Sequence, residues 1–218
     1  MLFLQRLALG LIIVGIGMCG YYISKGMNQK AVVTVPSKYG SIVRLTREGR
    51  TFCSGTVISS SLIITAAHCV MEETPFGLMI STRDIEVRPR NNTDLRVEAA
   101  TVYASPQMDS AVLHGDFSDF DNRELITDPA ILTNIRSHTT KFISCGYPLG
   151  GDLYCNYTSD PFPDNFAWKV SGVLIPGMSG GPTMLEDGTV VAINIAVERE
   201  HAVVSPTYNL LSFIKEQK

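Results

Sequence analysis

Charge is scarce in this chain. Asp, Glu, Lys and Arg make up only 18% of its 218 residues, and the net charge is −3. No basic excess is present to attract nucleic acid, and no acidic tract to act as a solvating tail. C-x-x-C pairs are missing as well, so a metal site is not expected. Internal repeats and low-complexity segments are also lacking. What remains is a chain with 45% hydrophobic residues, long enough for one sizeable core or two small ones. Its 18 Gly and 11 Pro are spread along the whole length, which suits many short strands joined by turns.

One uncharged run stands apart. Leu7 to Ile23, LALGLIIVGIGMCGYYI, would form a helix about 26 Å long, near the lower limit for crossing a bilayer. Arg6 precedes it and Lys25 and Lys30 follow, so charge gives only a weak orientation signal. There is no clean A-x-A cleavage pattern, and Met18 is large for the residue before a lipidated Cys19. Residues 1–24 therefore read as an uncleaved signal-anchor, with a cleaved signal peptide as the main alternative and a buried core helix as the lesser one. Either export route puts the remainder outside the cytoplasm, periplasmic or extracellular. It touches a membrane only through this segment if the segment is uncleaved. Residues 25–39 read as a stalk or extended lead-in.

The cysteines agree with export. Cys53, Cys69, Cys145 and Cys155 allow three pairings. Cys53–Cys69 with Cys145–Cys155 is favoured because each pair closes a local loop within one half of the chain. Closing a loop of about 15 residues stabilises by roughly 3 kcal/mol through chain entropy.

Short apolar runs with period-two alternation succeed one another from residue 41 onward: SIVRLTR, TFCSGTVIS, LIITAAHCV, DIEVRPR, LRVEAATVYA and SAVLH. A more polar stretch follows. Strand patterns then resume at 141–147, 152–158, 166–175, 189–197 and 202–205. Leu210, Leu211 and Ile214 share one face of a short C-terminal helix. The layout is an all-β chain in two halves, at about 40–120 and 139–218, joined by a connection at about 121–138.

Three residues carry candidate chemistry. Ser179 lies in Pro176-Gly177-Met178-Ser179-Gly180-Gly181-Pro182. A serine hydroxyl needs a base to become nucleophilic, and the oxyanion it generates needs preorganised N–H donors. Gly177 and Ser179 could supply those donors, and Gly180 and Gly181 would let the chain pass close behind. His68, in TAAHC, ends an apolar strand beside a bridged cysteine, which suits a fixed general base. Asp109, in QMDSAVL, precedes an apolar strand and is the candidate carboxylate to orient that imidazole. Asp94, Asp116 and Asp119 compete for that role from more polar loops. His114, His138 and His201 have no local motif and read as structural or exposed. Asn91-Asn92-Thr93 and Asn156-Tyr157-Thr158 match glycosylation sequons.

FCSGTVIS with LIITAAHCV, MDSAVL and GMSGGP resemble the three motif regions of chymotrypsin-like (trypsin-fold) serine peptidases, in the order His, Asp, Ser. The resemblance spans about residues 40–215. It implies two six-stranded antiparallel β-barrels packed orthogonally, with the N-terminal hydrophobic helix before them and the short helix after. It also implies a serine endopeptidase acting on protein or peptide substrates without a cofactor, with His68, Asp109 and Ser179 in the cleft and Gly177 and Ser179 as the oxyanion hole. Digestive trypsins carry Asp before the serine, where this chain has Met178. No Arg/Lys-Ile-Val-Gly-Gly junction occurs near residues 27–42, so activation by cleavage is not expected. The compact bacterial and viral branches, including the high-temperature-requirement proteases, are more similar. The position of the trypsin specificity acid is Val173. Glutamyl endopeptidases carry a His where this chain has Asn194. Val173, Leu174, Asn194, Ile195 and Ala196 are thus expected to line a pocket for a small or medium apolar side chain. The competing reading is a catalytically silent module of the same fold, tethered at a membrane and used for binding.

Overall fold

A computed structural model describes residues 39–75, 79–82, 84–90, 95–123, 125, 141–164, 167–198, 201–210 and 213–214. The expected N-terminal anchor, the stalk and most of the connection at 121–138 lie outside these residues. Among the described residues no helix is long and apolar enough to cross a membrane.

The chain is all-β. In the first half, β1 (Ile42–Arg47), β2 (Arg50–Val57), β3 (Leu62–Thr65), β6 (Ile85–Arg88), β7 (Val97–Ser105) and β8 (Ser110–His114) close into a ring in the order β1-β2-β3-β8-β7-β6. A side hairpin, β4 (Met71–Glu73) with β5 (Met79–Ser81), stands off it. In the second half, β9 (Phe142–Gly146), β10 (Tyr154–Asp164), β11 (Ala167–Ser171), β12 (Pro182–Met184), β13 (Val190–Glu198) and β14 (His201–Pro206) close in the order β10-β11-β14-β13-β12-β9. All of these pairings are antiparallel. The β1–β2 hairpin turns on Glu48 and Gly49, both at positive φ (50° and 76°), the backbone that lets a two-residue loop follow the strand twist.

Side-chain alternation explains three apolar clusters. β3 reads LIIT without a polar break because both of its faces are covered. Ile63 points into the first barrel beside Val43, Leu45, Val57 and Leu113. Leu62 and Ile64 point the other way and join Ile42 and Val112 in packing against Ile143, Tyr147, Met184 and Ile193 of the second half. The second barrel fills with Phe142, Trp168, Val170, Met178, Val191 and Val204. Both favoured disulfides are present, Cys53–Cys69 and Cys145–Cys155.

Three local readings need correction. LIITAAHCV is not one strand: it ends at Thr65, and Ala67–Val70 form a single helical turn, α1. The run 166–175 stops being a strand at Ser171, before Gly172 at φ +144°. At the C-terminus, Thr207–Leu210 form a 3-10 turn and residues 213–214 are helical, with the rest of the expected helix outside the described residues.

Candidate active site

The register of β3 against β8 brings the first two candidates together. Thr65 pairs with Ala111, so the chain leaving β3 and the chain entering β8 meet at one barrel end. Asp109 sits in the tight β7–β8 turn at φ +44°, its N–H reaching Pro106 O at 3.3 Å. From there its carboxylate makes two bonds to one residue. Oδ2 lies 2.8 Å from His68 Nδ1, and Oδ1 accepts the His68 backbone N–H at 2.9 Å. That N–H belongs to the first turn of α1, which cannot satisfy it internally. Asp109 therefore caps α1 and orients the imidazole at once. The His68 ring is half exposed and the carboxylate less so. Cys53 and Cys69 place their sulfurs within 4.8 Å of a His68 ring nitrogen, but the two are bonded to each other and cannot act as thiolate ligands.

Ser179 reaches this corner from the β11–β12 loop. Its carbonyl accepts the Ser54 N–H at 2.8 Å and lies 3.8 Å from Cys69 Sγ, beside His68. Gly180 follows at φ +81°, and a Cβ there would collide with Thr65 Oγ1 and Ser54 O. A Cβ on Gly181 would strike Cys145 O. Among the described residues, no hydrogen bond joins the Ser179 hydroxyl to His68.

The backbone around the serine separates into used and unused donors. Ile175-Pro176-Gly177-Met178 forms a type II turn: Met178 N–H donates to Ile175 O at 2.9 Å, Pro fills the second position and Gly177 the third at φ +96°. Met178, Gly180 and Gly181 N–H groups all have acceptors, namely Ile175 O, Asn194 O and Met178 O. Among the described residues, the N–H groups of Gly177 and Ser179 have none. Met178 is fully buried in the second-barrel core, and its sulfur lies 3.4 Å from the Ile175 nitrogen.

The family model of the trypsin-like peptidase domain matches residues 53–193. The chain belongs to that family. Solved structures similar to this trypsin-like serine peptidase include the active form of the Rv3671c protease from M. tuberculosis. That likeness has 20% identity and a TM-score of 0.64, over 86% of each chain. A serine endoprotease from Yersinia pestis is 18% identical, with TM-score 0.63, over 82% of this chain and 62% of its own. The HtrA-type protease AlgW, solved with a decapeptide, is 14% identical, with TM-score 0.64, over 82% of this chain and 64% of its own.

The expected pocket residues of this peptidase separate. Val173, Ile195 and Ala196 have accessible surface, whereas Leu174 is buried in the second-barrel core. Asn194 has no accessible surface at all. Its amide donates to Cys145 O at 2.8 Å and accepts from the Thr183 hydroxyl at 2.8 Å, so it braces the wall from behind. Asn156, in one of the sequons, is 8% exposed, and its amide donates to Val173 O at 2.8 Å. Sequence reasoning passed over Ser54 and the loop 147–151, which pack behind the Gly177 turn. The signal available was the loop's own composition, YPLGG.

Proposed function

We propose that the protein is a serine endopeptidase working through an acyl-enzyme on Ser179. The observation that carries this is the unused N–H pair of Gly177 and Ser179, beside a serine and a carboxylate-bound imidazole. His68 Nε2 takes the Ser179 proton as Oγ attacks the scissile carbonyl carbon. The oxyanion that forms accepts from the two N–H groups. Collapse breaks the C–N bond, and the departing amine takes the proton from His68. Water then hydrolyses the ester by the reverse proton path. Hydrogen bonds between nucleophile and base commonly tighten only when substrate is bound, so an unmade Ser179–His68 bond is compatible with this course. A buried methionine before the serine, in place of an acid awaiting a new N-terminus, supports activity without cleavage. The lack of acid from residue 171 to 178 supports an apolar P1 residue over Arg or Lys. The anchor or signal reading of residues 1–24 extends the proposal to a protease domain outside the cytoplasm.

The test is labelling of the purified 39–218 ectodomain by a fluorophosphonate probe, beside Ser179→Ala. Ser179-dependent labelling supports the reading; its absence favours the silent binding module.

A further inference from the structure

We propose that Ser54 is a positioning residue for the oxyanion site: its hydroxyl pins the Gly177–Met178 peptide, and so resists the turn flip that would hide the Gly177 N–H. This rests on the peptidase reading above and adds a residue that touches neither substrate nor reacting atoms. Ser54 lies in β2 with no accessible surface. Its Oγ is 2.7 Å from Gly177 O and 2.9 Å from Tyr147 N. Tyr147 N–H can only donate, so the single hydroxyl proton of Ser54 must go to Gly177 O. The direction of the relay, Tyr147 N–H to Ser54 O–H to Gly177 O, is thereby fixed.

The same loop holds the preceding peptide. Leu149 N–H donates to Pro176 O at 2.7 Å, from a residue at φ +52°. In a planar trans peptide the N–H points opposite the carbonyl, so fixing Pro176 O toward Leu149 aims the Gly177 N–H away from that loop. Ser54 fixes the next peptide, whose Met178 N–H closes the turn on Ile175 O. A flip of the Pro176–Gly177 peptide would hide the donor. The turn resists that flip because the peptides on both sides of Gly177 are pinned, one by the Leu149 N–H and the other by the Ser54 hydroxyl. Ser54 also binds the nucleophile's own carbonyl through its N–H, and its carbonyl accepts the Thr65 hydroxyl at 2.8 Å. A single residue in the first barrel thus registers the loop that carries both donors.

Ser54→Ala is expected to lower kcat about 10- to 100-fold, less than loss of an oxyanion donor itself, with KM changed less than about threefold. A peptide aldehyde, whose adduct with Ser179 carries the oxyanion, should lose affinity by a similar factor. The matching peptide alcohol should not. A purely structural role would instead move melting temperature and leave aldehyde affinity at the wild-type value, which overturns the proposal. Should the Ala variant not fold, Ser54→Thr and Ser54→Val compare a hydroxyl with a methyl at equal volume, and equal kcat in the two overturns it. Wild type and Ser179→Ala are labelled alongside, so failure of the peptidase reading shows separately as wild type that does not label. In that case amide exchange decides: faster exchange at Tyr147 and Met178 in Ser54→Ala supports the relay, and unchanged exchange refutes it.

Discussion

Asp109→Asn tests the two-oxygen geometry most sharply. Asp109 sits at φ +44°, a conformation that Asn adopts as readily as Asp, so the substitution leaves the backbone relaxed where Ala would add strain. The asparagine has one acceptor and one donor for two positions. The His68 backbone N–H, now 2.9 Å from Oδ1, can only donate, so it takes the amide oxygen. The amide NH2 then faces His68 Nδ1, now 2.8 Å from Oδ2, and that nitrogen must accept. The imidazole proton is forced onto Nε2, the atom that has to receive the serine proton. A wrong tautomer of this kind costs about 10⁴-fold in turnover, or roughly 5 kcal/mol of barrier. Folding should change little, because the α1 cap survives. The assay is kcat on a chromogenic peptide across pH, beside nitrogen-15 spectra of the His68 ring. A variant within tenfold of wild type, or a ring still protonated on Nδ1, would refute the reasoning.

Tyr147→Phe should reverse the order of stability between neutral and strongly alkaline pH. The buried Tyr147 hydroxyl donates to Ile42 O at 2.8 Å, and burial pushes its pKa from 10.0 up to about 12. This stability is fully present below the unfolded phenol value and is lost as pH rises through the folded one, a loss of roughly 2–3 kcal/mol. Removing the hydroxyl costs about 1–2 kcal/mol at neutral pH, so the two denaturant-derived stability curves should cross at about pH 11; parallel curves would rule this out. Gly177→Ala should lower kcat/KM by about 10² or more, since its Cβ would lie 2.5 Å from Tyr147 O and the φ is +96°. Wild-type kinetics in that variant would remove Gly177 from the oxyanion site. Peptide-library profiling should return small or medium apolar P1 residues; dominance of Arg or Glu would overturn the pocket reading.

Much of the chain was legible from local pattern. Alternation in residues 97–105 and 110–114 marks β7 and β8 because those strands bury one face or are short and apolar. The disulfide partners followed from loop locality. Glycines around Ser179 signalled close approach of backbone, although not which atoms they approach. The side hairpin β4–β5 and the three-residue β12 carried too little pattern to be seen. AAHCV looked like strand because apolar residues on one helical turn and on a buried strand read alike. What turns it is distant, the Asp109 carboxylate capping His68 N–H and the Cys53 bridge to Cys69. Asn194 was misread as pocket lining for the same reason. A strand's alternation tells that a residue faces inward, but not that Cys145 O and Thr183 await its amide.

The sequence by itself determined the all-β architecture, the disulfide partners and the residue types at His68, Asp109 and Ser179, because each leaves a short-range mark in spacing or composition. Only the tertiary structure decided which peptide N–H groups in the GMSGGP loop are left without an acceptor. That outcome depends on Leu149 and Ser54 gripping two successive carbonyls across sequence separations of 27 and 123 residues. Hydrogen-bond directions between segments so far apart in the chain exist only once both barrels have closed.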